Sequence, residues 1–194
     1  EGLSLINGTS FMTGIAALVC VEAERILNLA LKTAGMALEL VNSFDDYIAK
    51  QLQALRPHSG QMRVAKELRR ILSTSHLMRS RESLVEMHSD SDPVYKIDDG
   101  VQEIYSLRCV PQILGPVLES LDKTSEIVET EMNSATDNPL VDWRNKVFLH
   151  GGNFHGDYIA SAMDELKAHL VRLIMLSERR INFFLNEKIN QRFP

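Results

Sequence analysis

The helical character of this chain is set by residues 11–55, which read FMTGIAALVCVEAERILNLALKTAGMALELVNSFDDYIAKQLQAL. Apolar residues recur through this stretch at near-helical spacing, and no proline interrupts them. Intervals of three and four residues place apolar side chains on one face of an α-helix. The pattern therefore predicts one long helix over 11–55, weakened only at Gly14 and Gly35.

The same periodicity returns after Pro57, which ends the first helix. Further helices are predicted at about 62–72, 76–86, 112–134 and 155–186. Residues 88–100 are acidic and contain Pro93, so they predict a surface loop. The stretch from Val141 to Phe148 alternates apolar and polar residues, as a small hairpin does. The predicted fold class is all-α, a bundle of long near-parallel helices with a hairpin-like insertion near 141–148.

Composition restricts the partners of the chain. The formal net charge of its 194 residues is -5 and basic residues form no block, so neither nucleic acid nor a membrane surface is expected. The most apolar run, Phe11 to Val21, is shorter than the roughly 20 residues that cross a bilayer. Cys20 and Cys109 match neither a disulfide framework nor a metal site, and a cytoplasmic location is expected. The Glu178-Arg179-Arg180 cluster predicts a solvated or interface patch.

The segment most suggestive of chemistry is residues 100–112, GVQEIYSLRCVPQ. Gln102, Tyr105 and Arg108 stand at i, i+3 and i+6, which would place them on one helix face. An amide, a phenol that can move a proton and a guanidinium fork matched to a carboxylate could together hold an amino acid. The spacing alone also fits an ordinary polar helix face. No zinc-helix, nucleophile-elbow or phosphate-loop motif accompanies it.

Four further segments accompany this one in a set order, EGLSLINGT at 1–9, RPHSGQ at 56–61, NSATDNPL at 133–140 and GGNFHG at 151–156. Together with YSLRC at 105–109 they resemble the histidine and phenylalanine ammonia-lyase family, and the likeness covers essentially the whole chain. The resemblance implies a bundle of very long helices, assembled as a homotetramer whose subunits share each active site. It also implies elimination of ammonia from a small-molecule aromatic amino acid.

The resemblance assigns roles to individual residues. Tyr105 matches the family's catalytic tyrosine, which handles a proton, and Arg108 matches the arginine that anchors the substrate carboxylate. The full set of implied substrate-binding residues is Asn7, Gln102, Arg108, Asn153 and Phe154. Without the resemblance, Asn7 would be a turn residue, because Asn-Gly favours turns, and Phe154 would be a core side chain.

The family's electrophile is 4-methylideneimidazole-5-one (MIO), a ring that forms from an internal Ala-Ser-Gly tripeptide. This chain has no such tripeptide, since its Ser59-Gly60 pair follows His58. We therefore expect residues 1–194 to be the central helical part of an ammonia-lyase, lacking the upstream cofactor-forming region and the C-terminal region, and inactive alone. The wording of the YSLRC and NFHG segments favours conversion of L-histidine to urocanate. The alternatives are a phenylalanine or tyrosine ammonia-lyase, an aminomutase, or a non-catalytic helical assembly scaffold.

Overall fold

The computed structural model describes Gly2 and residues 6–81 and 102–190. Its α-helices are α1 (Ser10–Leu40), α2 (Lys50–Ala54), α3 (Ser59–Ile71), α4 (Tyr105–Arg108), α5 (Val110–Met132), α6 (Asp157–Leu185) and α7 (Glu187–Asn190). A 3-10 helix, Asp45–Ile48, lies between α1 and α2. Strands β1 (Leu140–Asp142) and β2 (Val147–Leu149) pair antiparallel. The all-α fold class with a small hairpin insertion is confirmed. The predicted loop at 88–100 lies outside the described residues.

The first helix is shorter than predicted, because α1 ends at Leu40 and does not continue to Leu55. Asn42 adopts a φ of 50°, the left-handed conformation that commonly terminates helices. The backbone N–H of Ser43 then donates to the carbonyl of Leu38 at 2.9 Å, which closes the helix end. Apolar periodicity alone cannot reveal such a helix end, since the apolar residues continue beyond it.

The helix predicted at 76–86 is wrong for its described part, residues 76–81. There the chain is extended at Arg79, which forms a parallel bridge with Phe44. The Arg79 N–H donates to the Ser43 carbonyl at 2.9 Å, and the Asp45 N–H donates to the Arg79 carbonyl at 3.0 Å. Pairing with a distant segment thus overrides the local helical spacing. Residues 82–86 lie outside the described residues.

The described chain divides into two compact units, of which unit 1 comprises Glu1–Ile26 and Ser120–Leu170. The start of α1, the end of α5 and the start of α6 supply its core. The buried apolar residues are Ala16, Cys20, Ala23, Leu121, Val128, Ile159, Ala162 and Leu166. The Thr124 hydroxyl donates to the Ala162 carbonyl at 3.4 Å, and Lys123 pairs with Glu165 at 3.0 Å. These two contacts join α5 to α6 within the unit.

Unit 2 comprises Leu27–Glu119 and Val171–Pro194. Its largest fully buried side chains include Leu38, Phe44, Leu68, Leu107 and Leu114. Helices α3 and α5 approach closely at two glycines, since a Cβ at Gly60 would collide with the carbonyl oxygen of Gly115. Small residues at such a crossing allow two backbones to approach. Close packing of α3 on α5 follows from this pair.

The charged cluster predicts a solvated or interface patch, and Arg180 is not solvated. It is only 5% exposed, and its Nε and Nη2 have no hydrogen-bond partner among the described residues. The reason is its position on α6, one turn from the buried residues Leu176 and Phe183. Burial lowers the pKa of Arg180 to about 10, so the side chain stays charged at neutral pH. Arg179 remains largely exposed and pairs with Glu178 at 3.1 Å.

Candidate active site

The six residues with predicted roles fall into two groups, one in each unit. The group in unit 1, here called the loop site, consists of Asn7, Asn153 and Phe154. The group in unit 2, here called the α4 site, consists of Gln102, Tyr105 and Arg108.

The α4 site is built on a single helical turn between a buried and an exposed face. Ser106 and Leu107 are buried, whereas Tyr105 is 69% exposed. The Ile104 carbonyl accepts hydrogen bonds from the N–H groups of Leu107 and Arg108 at 3.0 and 3.1 Å, which starts the turn. Burial of the middle of the turn therefore directs the Tyr105 side chain outward, where a ligand can reach it.

Tyr105 and Arg108 are brought together, as their spacing predicts. The guanidinium carbon of Arg108 lies 4.8 Å from the centroid of the Tyr105 ring, within the range of a cation–π contact. Arg108 Nε is buried and has no hydrogen-bond partner among the described residues. The turn thus places an exposed phenol beside a guanidinium whose Nε is shielded from solvent.

Gln102 does not share this helix face. It is exposed and precedes α4, which begins at Tyr105. The expectation of one helix face for all three residues is therefore wrong for Gln102. The helical spacing fails because Ile104 has an extended backbone, with ψ of 160°. Substrate binding by Gln102 stays a prediction.

A cavity of about 580 Å³ adjoins the α4 site within unit 2. One wall is formed by Ile104, Tyr105, Ser106 and Ile113. The other residues that line it are Arg172, Met175, Leu176, Arg179, Asn182, Phe183 and Ile189. The Ser106 hydroxyl at this wall is buried and has no hydrogen-bond partner in the described part of the chain. The cavity is mostly apolar, and two arginines contribute its positive charge.

The loop site depends on a left-handed glycine that follows Asn7. Gly8 has a φ of 76°, and a Cβ at this position would collide with the Thr136 carbonyl oxygen. The next residue, Thr9, is buried, and its hydroxyl donates to Glu131 Oε1 at 2.6 Å. Asn7 is exposed and lies in a bend immediately before this constrained glycine. The predicted turn position of Asn7 is compatible with a role in binding.

Polar side chains fix the rest of the loop site. Asn138 Oδ1 accepts a hydrogen bond from the Gly151 N–H at 2.9 Å, and Asn153 Nδ2 donates to the Ala135 carbonyl at 3.3 Å. Phe154 is 50% exposed, so it is not a core side chain. These contacts join the segments 133–140 and 151–156, which lie far apart from Asn7 in sequence but in the same unit.

A second cavity, of about 700 Å³, lies within unit 1 and includes Asn153 in its lining. Three carboxylates, those of Glu126, Glu131 and Asp157, also line it. Within residues 6–81 and 102–190, no group of three or more His, Cys, Asp or Glu side chains could hold a metal ion. None of the described helices is long and apolar enough to cross a membrane.

No sequence pattern indicates the residues that hold α4 in place. The hydroxyl of Tyr47 accepts a hydrogen bond from the Glu103 N–H at 2.8 Å, across 56 positions of sequence. Arg79 pairs with the Glu103 carboxylate at 3.7 Å. Neither Tyr47 nor Arg79 belongs to the motifs that contain the site. Only the fold brings them to it.

The sequence pattern of the family described as aromatic amino acid lyase matches residues 1–194. The tyrosine ammonia-lyase of Cupriavidus metallidurans is 40% identical over 100% of this chain and 37% of that protein. The histidine ammonia-lyase of Caldanaerobacter subterraneus is 36% identical over 100% of this chain and 35% of that protein. The structure of the Pantoea agglomerans phenylalanine aminomutase superposes with a TM-score of 0.91 at 34% identity, over 100% of this chain and 38% of that one.

Three observations point to the same family: the helical fold, the contact between the Tyr105 phenol and the Arg108 guanidinium on α4, and these similarities. The chain belongs to the aromatic amino acid lyase family, a group of ammonia-lyases and aminomutases. It spans just over a third of the length of the relatives named above. The resemblance stated from its motifs is confirmed, and the substrate is a separate question because relatives of differing substrate are similarly close.

Proposed function

We propose that this chain is the substrate-anchoring part of an enzyme that eliminates ammonia from an aromatic amino acid, with L-histidine, giving urocanate, as the first candidate. The observation that carries the proposal is the contact between Tyr105 and Arg108, whose guanidinium carbon lies 4.8 Å from the phenol ring. Side chains held this close can bind a carboxylate and move a proton from a nearby carbon.

The proposed roles follow from the chemistry of the two groups. Arg108 binds the substrate carboxylate through two parallel N–H···O bonds of its guanidinium, which lies beside the Tyr105 ring. Tyr105 removes a proton from the β-carbon. The electron pair of that C–H bond forms the new carbon–carbon double bond, and the carbon–nitrogen bond of the protonated amine breaks with its electron pair staying on nitrogen, which releases ammonia. Gln102 is exposed just before the turn and would hydrogen-bond the substrate.

The loop site takes a supporting role in the proposal. The amides of Asn7 and Asn153 offer hydrogen bonds without adding charge, and the half-exposed ring of Phe154 can contact an aromatic substrate. Assembly as a homotetramer, in which several subunits complete each site, is part of the same proposal. Exposed apolar side chains on α1 and α6 support assembly, among them Leu18, Leu29, Met36, Ile174 and Ile181.

The fold family implies the MIO group, and the residues present limit where it could arise. The chain's Ser59-Gly60 pair cannot serve, because the Ser59 hydroxyl and the Gly60 N–H donate to Glu119 at 2.8 and 2.6 Å at the start of α3. The ring would therefore come from residues outside this chain, and Asn7, an exposed amide, would hydrogen-bond it. When bound, the group supplies the electrophile that turns the amine into a leaving group.

The test is an assay of the complete gene product with histidine, phenylalanine and tyrosine. Ammonia and the ultraviolet absorbance of the unsaturated product are measured together. Equal amounts of both support the proposal, and the amino acid with the highest kcat/KM identifies the substrate. A β-amino acid formed without net ammonia would indicate an aminomutase instead. No reaction, from a gene that encodes no Ala-Ser-Gly, would contradict the proposal and favour a non-catalytic scaffold.

A further inference from the structure

The turn that carries Tyr105 and Arg108 has no side-chain cap of its own. Ile104 occupies the N-cap position, and an apolar side chain cannot accept the hydrogen bonds of the first turn. A helix of four residues is also far too short to persist without tertiary support. The directions of the Tyr105 and Arg108 side chains therefore depend on how the chain is held just before the turn.

Tyr47 supplies the first attachment. Its hydroxyl accepts a hydrogen bond from the Glu103 N–H at 2.8 Å. Glu103 directly precedes Ile104, which occupies the N-cap position of α4. Tyr47 is only 7% exposed. Because the phenol ring is packed, its hydroxyl can occupy only one position. A hydroxyl fixed in this way holds the Glu103 backbone more firmly than a water molecule could.

Arg79 supplies the second attachment, through its ion pair with the Glu103 carboxylate at 3.7 Å. Both side chains are mostly buried. Arg79 is itself held, since its Nε donates to the Asn42 carbonyl at 2.6 Å and its guanidinium lies 4.2 Å from the centre of the Phe44 ring. The carboxylate of Glu103 therefore meets a fixed cation.

The Tyr47 attachment continues into the core of unit 2. The Tyr47 carbonyl accepts a hydrogen bond from Gln53 Nε2 at 3.0 Å, and Gln53 Oε1 accepts one from Gln61 Nε2 at 2.8 Å. Both glutamines are almost completely buried, and Gln61 lies on α3. Buried amide chains of this kind are rigid, because each broken bond would leave a polar group unpaired. The phenol is thus tied to a helix of the core.

We infer that Tyr47 is a positioning residue for the α4 site: its hydroxyl, together with the Arg79–Glu103 ion pair, holds Glu103 so that Tyr105 and Arg108 keep the directions that the reaction requires. Tyr47 is buried and acts through Glu103, without contact to a substrate. The catalytic consequence rests on the proposed function, whereas the anchoring does not.

The first test compares Tyr47→Phe with Thr124→Val in the complete gene product. Both changes remove one buried hydroxyl that makes a hydrogen bond, and Thr124 lies in the other unit. Tyr47→Phe should lower kcat/KM about tenfold, because small displacements of Tyr105 and Arg108 relative to the substrate lower the reaction rate. Thr124→Val should leave it unchanged, and the two thermal midpoints should fall equally. A Tyr47→Phe enzyme with wild-type kcat/KM overturns the positioning role.

The second test measures anchoring without activity, by hydrogen–deuterium exchange of the backbone amides at 103–109. Exchange should be faster in Tyr47→Phe and unchanged in Thr124→Val. Unchanged exchange in Tyr47→Phe overturns the anchor. If the wild-type protein deaminates none of the three amino acids, the proposed function fails and the exchange result still decides the anchor.

A third variant, Glu103→Gln, keeps the backbone N–H and removes only the ion pair with Arg79. It provides a result even if Tyr47→Phe does not fold. Exchange at 103–109 should rise, and kcat/KM should fall about threefold, in line with the modest strength of an ion pair whose N–O distance is 3.7 Å. Exchange and kcat/KM that both match the wild type would overturn the contribution of this pair.

Discussion

The loop site and the α4 site both present exposed functional groups, yet they are held by residues of different origin. Contacts between motif residues shape much of the loop site, such as Gly8 against Thr136 and Asn138 with Gly151. The contacts that hold α4 come from Tyr47 and Arg79, which lie in no motif. A sequence motif can thus include residues that hold its functional groups in place, as at the loop site, or only the functional groups themselves, as at the α4 site.

The difference predicts how each site responds to substitution. At the loop site the backbone conformation is decisive, so a change of a small turn residue should disturb folding. At the α4 site the backbone is ordinary helix, so a change of a reacting group should affect chemistry and leave folding intact. Substitutions at the two sites therefore test the contrast.

Tyr105→Phe should have the largest effect, and it should fall on chemistry alone. Loss of a group that moves a proton costs roughly 100-fold or more in kcat. The exposed side chain makes little contribution to packing, so the unfolding midpoint should not change. Steady-state kinetics and thermal unfolding of the complete gene product measure both. Trp143→Phe, another exposed aromatic change, is the control, and equal losses in both variants would contradict the role of Tyr105.

Gly8→Ala should disturb folding at the loop site. A left-handed φ of 76° and the Thr136 carbonyl both oppose a Cβ, which together should cost about 3 kcal/mol of unfolding free energy. Gly14→Ala is the matched control, because Gly14 lies within α1 with open space around it and should gain about 0.5 kcal/mol. Urea unfolding measures both. Equal stability of the two variants would show that the turn is not constrained.

Glu119→Ala should lower the stability of unit 2, because α3, like α4, begins without a cap of its own. Loss of its bonds to Gly60 and Ser59 should cost about 1 to 2 kcal/mol at neutral pH. The Gly60 N–H, followed by the Ser59 hydroxyl, lowers the pKa of Glu119. A carboxyl whose pKa is lower in the folded state stabilises above its unfolded pKa, and this contribution disappears as the pH falls through the folded value.

The difference between Glu119→Ala and the wild type should therefore shrink in acid. Unfolding by urea at neutral and acid pH measures it. Glu129→Ala, an exposed change on the same helix, is the control. A difference that does not depend on pH would show that the carboxylate charge does not cap α3.

Asp142→Ala should have the smallest effect, confined to the hairpin. The Asp142 carboxylate accepts hydrogen bonds from the Arg144 and Asn145 N–H groups at 3.0 and 3.1 Å. The Asn145 side-chain amide, which donates at 2.7 Å, is the main cause of the lowered pKa of Asp142. All these bonds lie within one turn. Amide exchange should quicken at 140–149 alone, and a change in global stability would contradict this local role.

The long helices and the hairpin could be predicted because apolar periodicity controls them. The predicted helix at 155–186 corresponds to α6, Asp157–Leu185, and the hairpin residues Val141 and Phe148 pair directly. Periodicity failed where long-range contacts control the backbone. Just after α1 ends, the Asn42 side-chain amide donates to the Leu77 carbonyl at 3.2 Å, and pairing with Phe44 makes Arg79 extended.

The proximity of Tyr105 and Arg108 followed from spacing within one turn. The separation of Gln102 from α4 could not be predicted from spacing, because it depends on an anchor 56 positions away. The burial of Arg180 could not be predicted either, because it depends on which side chains surround α6. Motifs indicated the proposed reacting groups, whereas the residues that hold them could be found only in the fold.

The proposed function requires that Arg108 bind the carboxylate of an amino acid. Its most direct test is the affinity of the complete gene product for the unsaturated product acid and for the corresponding carboxamide, in the wild type and in Arg108→Ala. We expect the wild type to prefer the carboxylate by about 2 to 5 kcal/mol and the variant to bind both equally. An Arg108→Ala protein that keeps the full preference for the carboxylate would contradict the account.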